Sequence, residues 1–355
     1  MKRANLNDLA NSLGLSTNTV SRALAGKDGV APHTRDRVLR EADRIDYRTG
    51  SQWRRRHAKT IALTVTSSTN VFISQFIAAT VSALRPVGYA VSIRITEESS
   101  ILETRAIAEM ASGDYAGALV IPVQGRGTPW ADAGEFPFPI VAVAREIPDV
   151  EYDSVSLDQQ ATMYAATRHV LAQGARSLLL FDEDLDVSSN RSRVAGFKSA
   201  VETEEGTSGR VVLVPTRRFE SSVRPWQPEE GYRSVYALLS QGLRPDAMLF
   251  EDDYYALGAL RAIEDQGLRV PHDILLVGFG NHPYAPYMKP ALTTVAAPGS
   301  LIAEAAVSML LRRIAGDMSP PVRRLLDGEL IVRESSVKQN SLNLETVSIS
   351  KSAIT

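Results

Sequence analysis

Two carboxylate runs, Asp182-Glu183-Asp184 and Glu251-Asp252-Asp253, are the densest chemistry-bearing clusters in the sequence. Paired carboxylates can exchange protons or hold a hard cation. Each run also follows an apolar stretch, as a polar surface loop at a strand end does, and a surface loop is the expected reading. His33, His57, His169, His272 and His282 are scattered without metal-ligand spacing and read as structural or solvated. No phosphate-binding glycine loop, nucleophile elbow or zinc-binding His-Glu pattern is present. Gly125-Arg126-Gly127 and Gly278-Phe279-Gly280 lack a third glycine and read as turns. The absence of cysteine excludes a disulfide framework, a thiolate metal site and a thiol nucleophile. The chain is therefore expected to be no enzyme and to need neither cofactor nor metal.

A different chemistry is gathered at the N-terminus. The 355-residue chain has a formal charge of only −2, but residues 1–59 carry 13 Lys/Arg against six acids, a net +7, which leaves −9 on the remainder. A basic module on an acidic body suits a nucleic-acid-binding head; a merely solvated basic face has the same charge. Leu6, Leu9, Ala10 and Leu13 recur at helical spacing, and Gly14 can supply a tight turn. Ser16 suits the N-cap of a second helix that buries Val20, Ala23 and Leu24 and exposes Thr17, Asn18, Ser21 and Arg22. Pro32 suits the first turn of a third helix with Val38, Leu39, Ala42 and Ile45 inward. This pattern fits a helix-turn-helix and a plain three-helix bundle alike.

The string from Asn5 to Arg48 resembles the head of the lactose/galactose repressor (LacI/GalR) family. The match runs through Asp8, Ala10, Gly14, Ser16, Thr19-Val20-Ser21-Arg22, Val30, Thr34-Arg35, Val38-Leu39 and Tyr47. The resemblance implies that Thr17, Asn18 and Arg22 read base edges, Asn suiting adenine and Arg guanine. It likewise implies that Ser16, Thr19, Ser21 and Thr34 touch the DNA backbone. The match falters in the linker, where the family usually places a hinge helix with a leucine wedge. Here Arg56 stands at the wedge position, and Trp53 is the one large apolar side chain available. Arg54, Arg55 and Arg56 can hold phosphates or enter a narrow minor groove. An ordered hinge helix and a solvated basic linker both remain open.

From residue 60 the sequence alternates apolar strand-length runs (61–65, 90–95, 118–121, 140–143, 177–181, 211–214, 248–250 and 274–277) with amphipathic helical segments. That alternation predicts doubly wound parallel sheets with ligands at the carboxyl ends of the strands. Residues 60–336 also resemble the family's effector domain, itself similar to periplasmic sugar-binding proteins. The landmarks are Asn70-Val71-Phe72, Arg193 through Phe197, Asp252-Asp253, Val277-Gly278-Phe279, Leu292 through Val295 and Leu330 through Ser336. The resemblance implies an effector held between two lobes by Phe72, Ile73, Arg145, Arg193, Asp252 and Asn281. Sugars are the family's common effectors, but three positions depart from its pattern. Ala144 and Gly280-Asn281 stand where the family has aspartates, and Ala297 stands where a polar residue is common.

The expected fold class is α/β: a three-helix helix-turn-helix head (1–48), a basic linker (49–59) and a two-lobed, periplasmic-binding-protein-like body (60–336). The first lobe is expected over 60–155 plus 297–316, and the second over 156–296 plus 317–336. The Ser-rich tail, 337–355, holds no heptad and is expected to be flexible. The implied function is a regulator, foremost a repressor, that binds double-stranded operator DNA as a homodimer under control of a sugar-like effector. No apolar run is long enough to span a membrane and no secretory signal opens the chain, so a cytoplasmic protein is expected. A solute-binding receptor, or an α/β enzyme acting on sugars with an accessory DNA-binding head, is the alternative.

Overall fold

Asn5 opens the first helix: its Oδ1 accepts from the Asn7 and Asp8 amides, while the Asp8 carboxylate accepts from the Asn5 amide, a reciprocal cap. The computed structural model describes residues 5–24, 27, 29–45, 47, 58–68, 70–125, 129–130, 136–147, 151–215 and 228–338. They fall into two compact units, one within residues 1–60 and 113–116 and the other in the remainder.

In the head, α1 (Leu6–Leu13) ends at Gly14, whose φ of 67° returns Leu15 to the core. Ser16 then caps α2 (Thr17–Leu24) by accepting from the Thr19 amide at 3.1 Å. Pro32 begins α3 (Pro32–Arg44). Leu9, Ala10, Val20, Ala23, Val38 and Ala42 form the shared core, with Leu6, Leu13, Leu24, Val30, Ile45 and Tyr47 against it. Leu39 departs from expectation: it is 45% exposed, one position beyond the face that α3 turns inward.

The body holds two six-stranded sheets. The first contains β1 (Thr60–Val65), β2 (Ala90–Ile95), β3 (Gly117–Val120), β4 (Ile140–Val143) and β5 (Asp153–Leu157), with β11 (Arg323–Leu326) paired parallel to β5. The second contains β6 (Ser177–Glu183), β7 (Ser208–Val214), β8 (Ala247–Phe250), β9 (Leu275–Phe279) and β10 (Thr293–Ala296), closed by antiparallel β12 (Glu329–Ile331). The connecting helices are α4 (Val71–Leu84), α5 (Ser100–Ser112), α6 (Gln159–Ala172), α7 (Ser188–Glu202), α8 (Pro228–Ser240), α9 (Asp253–Asp265) and α10 (Gly299–Ile314).

β11 corrects the expected partition of 317–336 to the second lobe. The chain returns to the first sheet at Arg323–Leu326 and crosses only afterwards. Arg313 anchors that return: its guanidinium donates to both Asp153 oxygens at 2.6 and 2.9 Å, and Asp153 accepts from the Val322 amide. Gly278 lies inside β9 instead of forming a turn. Trp53 and Arg54–Arg56, with most of the linker, and residues 339–355 of the tail lie outside the described residues. Among the described residues no helix is long and apolar enough to cross a membrane.

Candidate functional site

Two surfaces carry the predicted residues, one in each unit. In the head, burying Val20 and Ala23 leaves Thr17, Asn18, Ser21 and Arg22 exposed along α2. Ser16 Oγ lies 2.8 Å from Thr19 Oγ1, so the two hydroxyls engage each other at the helix start. Thr34 is half-buried in the first turn of α3, its Oγ1 3.1 Å from His33 Nε2.

In the body, a cleft collects the carboxyl ends of both sheets. Phe72 and Ile73 enter it from the first turn of α4, fixed by Asn70, whose side chain accepts from the Ile73 amide. Ile121, Leu157 and Ile302 extend this apolar wall. Arg145, just after β4, lines it as well. The opposite face is polar: Asn190 and Arg193, three residues apart on α7, share it with Glu251, Asp252, Phe279, Gly280 and His282. Five of the six predicted effector residues therefore meet in one cleft.

Asn281 does not line it. A φ of 46° carries its side chain away from the cleft, where Oδ1 accepts from Arg333 at 2.8 Å. Gly280 (φ 117°) and His282 line the wall there instead, and a Cβ at 280 would stand 2.8 Å from the His282 ring.

The polar face is an ion network built over long sequence separations. Arg193 donates through Nε and Nη2 to Asp182 at 3.2 and 2.9 Å, and through Nη2 to Asn190 at 2.7 Å and Glu251 at 3.2 Å. Its guanidinium also lies 5.8 Å from the Phe279 ring centre. Burial pulls the Arg193 pKa down, but Asp182 and Glu251 outweigh it and hold the charge firmly in place. Asp252 caps α9 through the Tyr254 amide at 2.8 Å, with His282 Nε2 3.6 Å from its other oxygen. Asp253 accepts from the Thr294 hydroxyl at 2.6 Å and the His282 amide at 2.7 Å; burial nevertheless pushes its pKa up to about 6. Burial pushes His282 down to about 4, so the ring is neutral at pH 7.

The acidic runs are thus not the surface loops expected of them. Asp182, Glu183, Glu251, Asp252 and Asp253 are all buried, and their carboxylates organise the cleft. His282 is likewise a cleft residue instead of a bystander. Among the described residues, no group of three or more His, Asp or Glu is placed to hold a metal ion. Asn190, Gln159, Glu251, Phe279 and His282 were missed. The signals available were helical spacing from Arg193 for Asn190, and position at a strand's carboxyl end for Glu251 and Phe279.

A clasp joins the two sides. Val187, at the N-cap of α7, gives that helix no side-chain cap. Gln124, following β3 in the first lobe, supplies one: its Oε1 accepts from the Ser188 amide at 2.6 Å. Its Nε2 donates to the Glu146 carbonyl at 2.5 Å, and the Glu146 amide reaches Ser188 Oγ at 3.4 Å. Beside the clasp lies a second pocket, lined by Ser156, Ser188, Ser189, Ser192, Asp158 and Arg323, which shares Arg145 and Gln159 with the cleft.

Residues 5–50 match the family model described as bacterial regulatory proteins, lacI family, and residues 167–336 match a periplasmic binding protein-like domain. The HTH-type transcriptional repressor PurR of Escherichia coli O1:K1 is 29% identical over 348 residues, 94% of this chain and 96% of the relative. A transcriptional regulator CelR–cellobiose complex superposes with a TM-score of 0.68 at 25% identity, covering 94% of this chain and all of the other. The lac repressor dimer bound to operator and the anti-inducer ONPF has a TM-score of 0.70 at 22% identity, covering 95% and 100%.

Proposed function

As the chain belongs to the LacI/GalR family of effector-controlled, DNA-binding transcriptional regulators, we propose that it is a homodimeric repressor and that the cleft of its body takes a sugar-like effector. The observation that carries the reading is one chain holding both a helix-turn-helix head with an exposed polar α2 face and a two-lobed cleft of buried hydrogen-bonding groups. In this reading Thr17, Asn18 and Arg22 contact base edges, each good bidentate contact discriminating by about 1–3 kcal/mol. Ser16, Thr19, Ser21 and Thr34 contact the backbone, and Arg54, Arg55 and Arg56 add phosphate contacts from the linker. Two copies of the chain present two heads to the halves of a near-palindromic site.

In the cleft, Phe72 and Ile73 cover an apolar face of the effector, while Asp252 and the Arg193 network meet hydroxyl groups. CelR, the relative with cellobiose bound, supports a sugar as the ligand class. The effector acts by its unequal affinity for the two lobe arrangements, whichever operator-binding state that favours. The chain works in the cytoplasm, catalyses no reaction and needs no cofactor.

Selection from a random duplex library tests the reading. It should enrich one near-palindromic sequence, whose binding at least one member of a mono- and disaccharide panel then shifts. Enrichment of no sequence would overturn the regulator; indifference to every sugar would overturn the ligand class.

A further inference from the structure

His282 lines the cleft and is pinned through both its backbone and its ring. Its amide donates to Asp253 Oδ2 at 2.7 Å, and its side chain, 2% exposed, meets the rings of Tyr254 and Tyr284 edge-on, with centres 4.9 and 5.5 Å away. Nδ1 faces the hydroxyl of Tyr284, 3.1 Å away on the side turned from the cleft lining. The opposite edge of the ring faces two residues that do line the cleft. A Cβ at Gly280 would stand 2.8 Å from both Cδ2 and Nε2, and Asp252 Oδ2 lies 3.6 Å from Nε2. The ring thus takes the space that a side chain at 280 would use, and brings a nitrogen there.

The proton on that ring can be placed. Burial pushes its pKa down to about 4, so at pH 7 one nitrogen carries a hydrogen and the other a lone pair. A hydrogen on Nδ1 would turn the Nε2 lone pair toward the Asp252 carboxylate. A hydrogen on Nε2 turns a donor toward that carboxylate instead and lets Nδ1 accept from the Tyr284 hydroxyl. Burial, with Asp252 and Asp253 nearby, raises the pKa of the Tyr284 phenol and keeps it a donor. At 3.6 Å the Nε2–H is aimed at Asp252 without being taken up by it. The Tyr254 amide holds the other Asp252 oxygen at 2.8 Å and so fixes the carboxylate.

We propose that His282 is a specificity-determining residue of the effector site, its Nε2–H and the Asp252 carboxylate serving as neighbouring donor and acceptor for a single effector hydroxyl. A hydroxyl accepts from the one and donates to the other; an ether oxygen serves only the donor, and an ammonium group only the acceptor. This rests on the reading of the cleft as the effector site and adds the group that the effector presents there.

Two measurements on the full-length protein test it. Nitrogen NMR of isotopically labelled histidine, with the His282 signals assigned by their loss in H282Q, should show the hydrogen on Nε2 in wild type. Calorimetric titration with glucose, galactose, maltose and cellobiose then follows whichever sugar binds most tightly. H282L should weaken that sugar by about tenfold, the loss of one hydrogen bond, and H282Q, whose amide can place an N–H where Nε2 stands, should recover most of the loss. A hydrogen on Nδ1, an H282L variant that binds as tightly as wild type, or a folded H282Q that binds no better than H282L would each overturn the proposal. If neither variant keeps the wild-type circular dichroism, the position of the hydrogen decides. Failure of the sugar reading looks different: no sugar binds wild type, while the NMR still upholds or overturns the donor that His282 turns to the cleft.

Discussion

The α2 face of the head and the polar face of the cleft present the same kinds of side chain in opposite physical states. On α2, Thr17, Asn18, Ser21 and Arg22 stand exposed above a small apolar core that does not include them. At the cleft, Arg193, Asp182 and Glu251 are buried, and Arg193 holds both acids, across up to 58 residues of sequence. Residues that contact a solvated, highly charged polymer can stay hydrated until they bind. A cleft for a small ligand must instead fix its donors and acceptors beforehand, because a buried polar group without a partner is costly. Loss of an exposed α2 side chain should therefore affect recognition more than folding, whereas loss of a cleft residue should affect folding too.

The largest effect is expected at Arg193. Arg193→Met strands Asp182 and Glu251 as buried acids, and urea unfolding should show a loss of about 3–5 kcal/mol. A loss below about 1 kcal/mol would mean that the network is as loosely held as the α2 face.

Glu103 comes next. It is buried in α5, with Oε1 accepting from the Val123 amide, and burial pushes its pKa up to about 7. The unfolded chain releases this proton near pH 4.5 while the folded chain retains it to about 7, so the residue costs stability increasingly as pH rises across that window. Glu103→Gln removes the cost. The stability of the variant relative to wild type should grow by roughly 3 kcal/mol between pH 4.5 and 7. A difference that stays flat with pH would show that Glu103 ionises normally in the fold.

Arg22→Ala should lower the preference for the selected site over random duplex by about 1–3 kcal/mol while changing unfolding by no more than about 0.5 kcal/mol. Equal losses on both duplexes would remove Arg22 from base reading. The smallest effect belongs to the clasp. Gln124→Ala leaves the α7 amides to water and should cost about 1 kcal/mol. It should also widen the lobe separation measured between spin labels placed on the two sheets. An unchanged distance distribution would show that the clasp does not hold the lobes.

The same contrast explains what the sequence reveals. The head is legible because its rules are local: a turn glycine at 14, a serine cap at 16 and helical apolar spacing. Leu39 escapes the pattern because short helices bury a narrow stripe. In the body, the apolar strands stand out, but β5 reads Asp-Ser-Val-Ser-Leu and owes its place to Asp153 pairing with Arg313, 160 residues away. β11 (Arg-Arg-Leu-Leu) and β12 (Glu-Leu-Ile) are short edge strands that open on charged residues, and two apolar residues each are too short a run to mark a strand. Phe72, Ile73, Arg145, Arg193 and Asp252 could be named only by resemblance, since nothing in their spacing brings them together. Asn281 fails because its backbone turns left-handed and Arg333 takes its side chain. Glu98 has no local signal at all, being tied to Arg145 by the fold alone.

The central claim is that the head and the cleft work as one switch. Fluorescence anisotropy of the selected duplex, titrated with full-length protein with and without a saturating sugar from the panel, tests it most directly. The account predicts that the sugar changes operator affinity in wild type, and that Asp252→Asn brings the ratio of the two affinities back to one. A sugar that binds by calorimetry yet leaves operator affinity unchanged, or an Asp252→Asn variant that responds as wild type does, would contradict it.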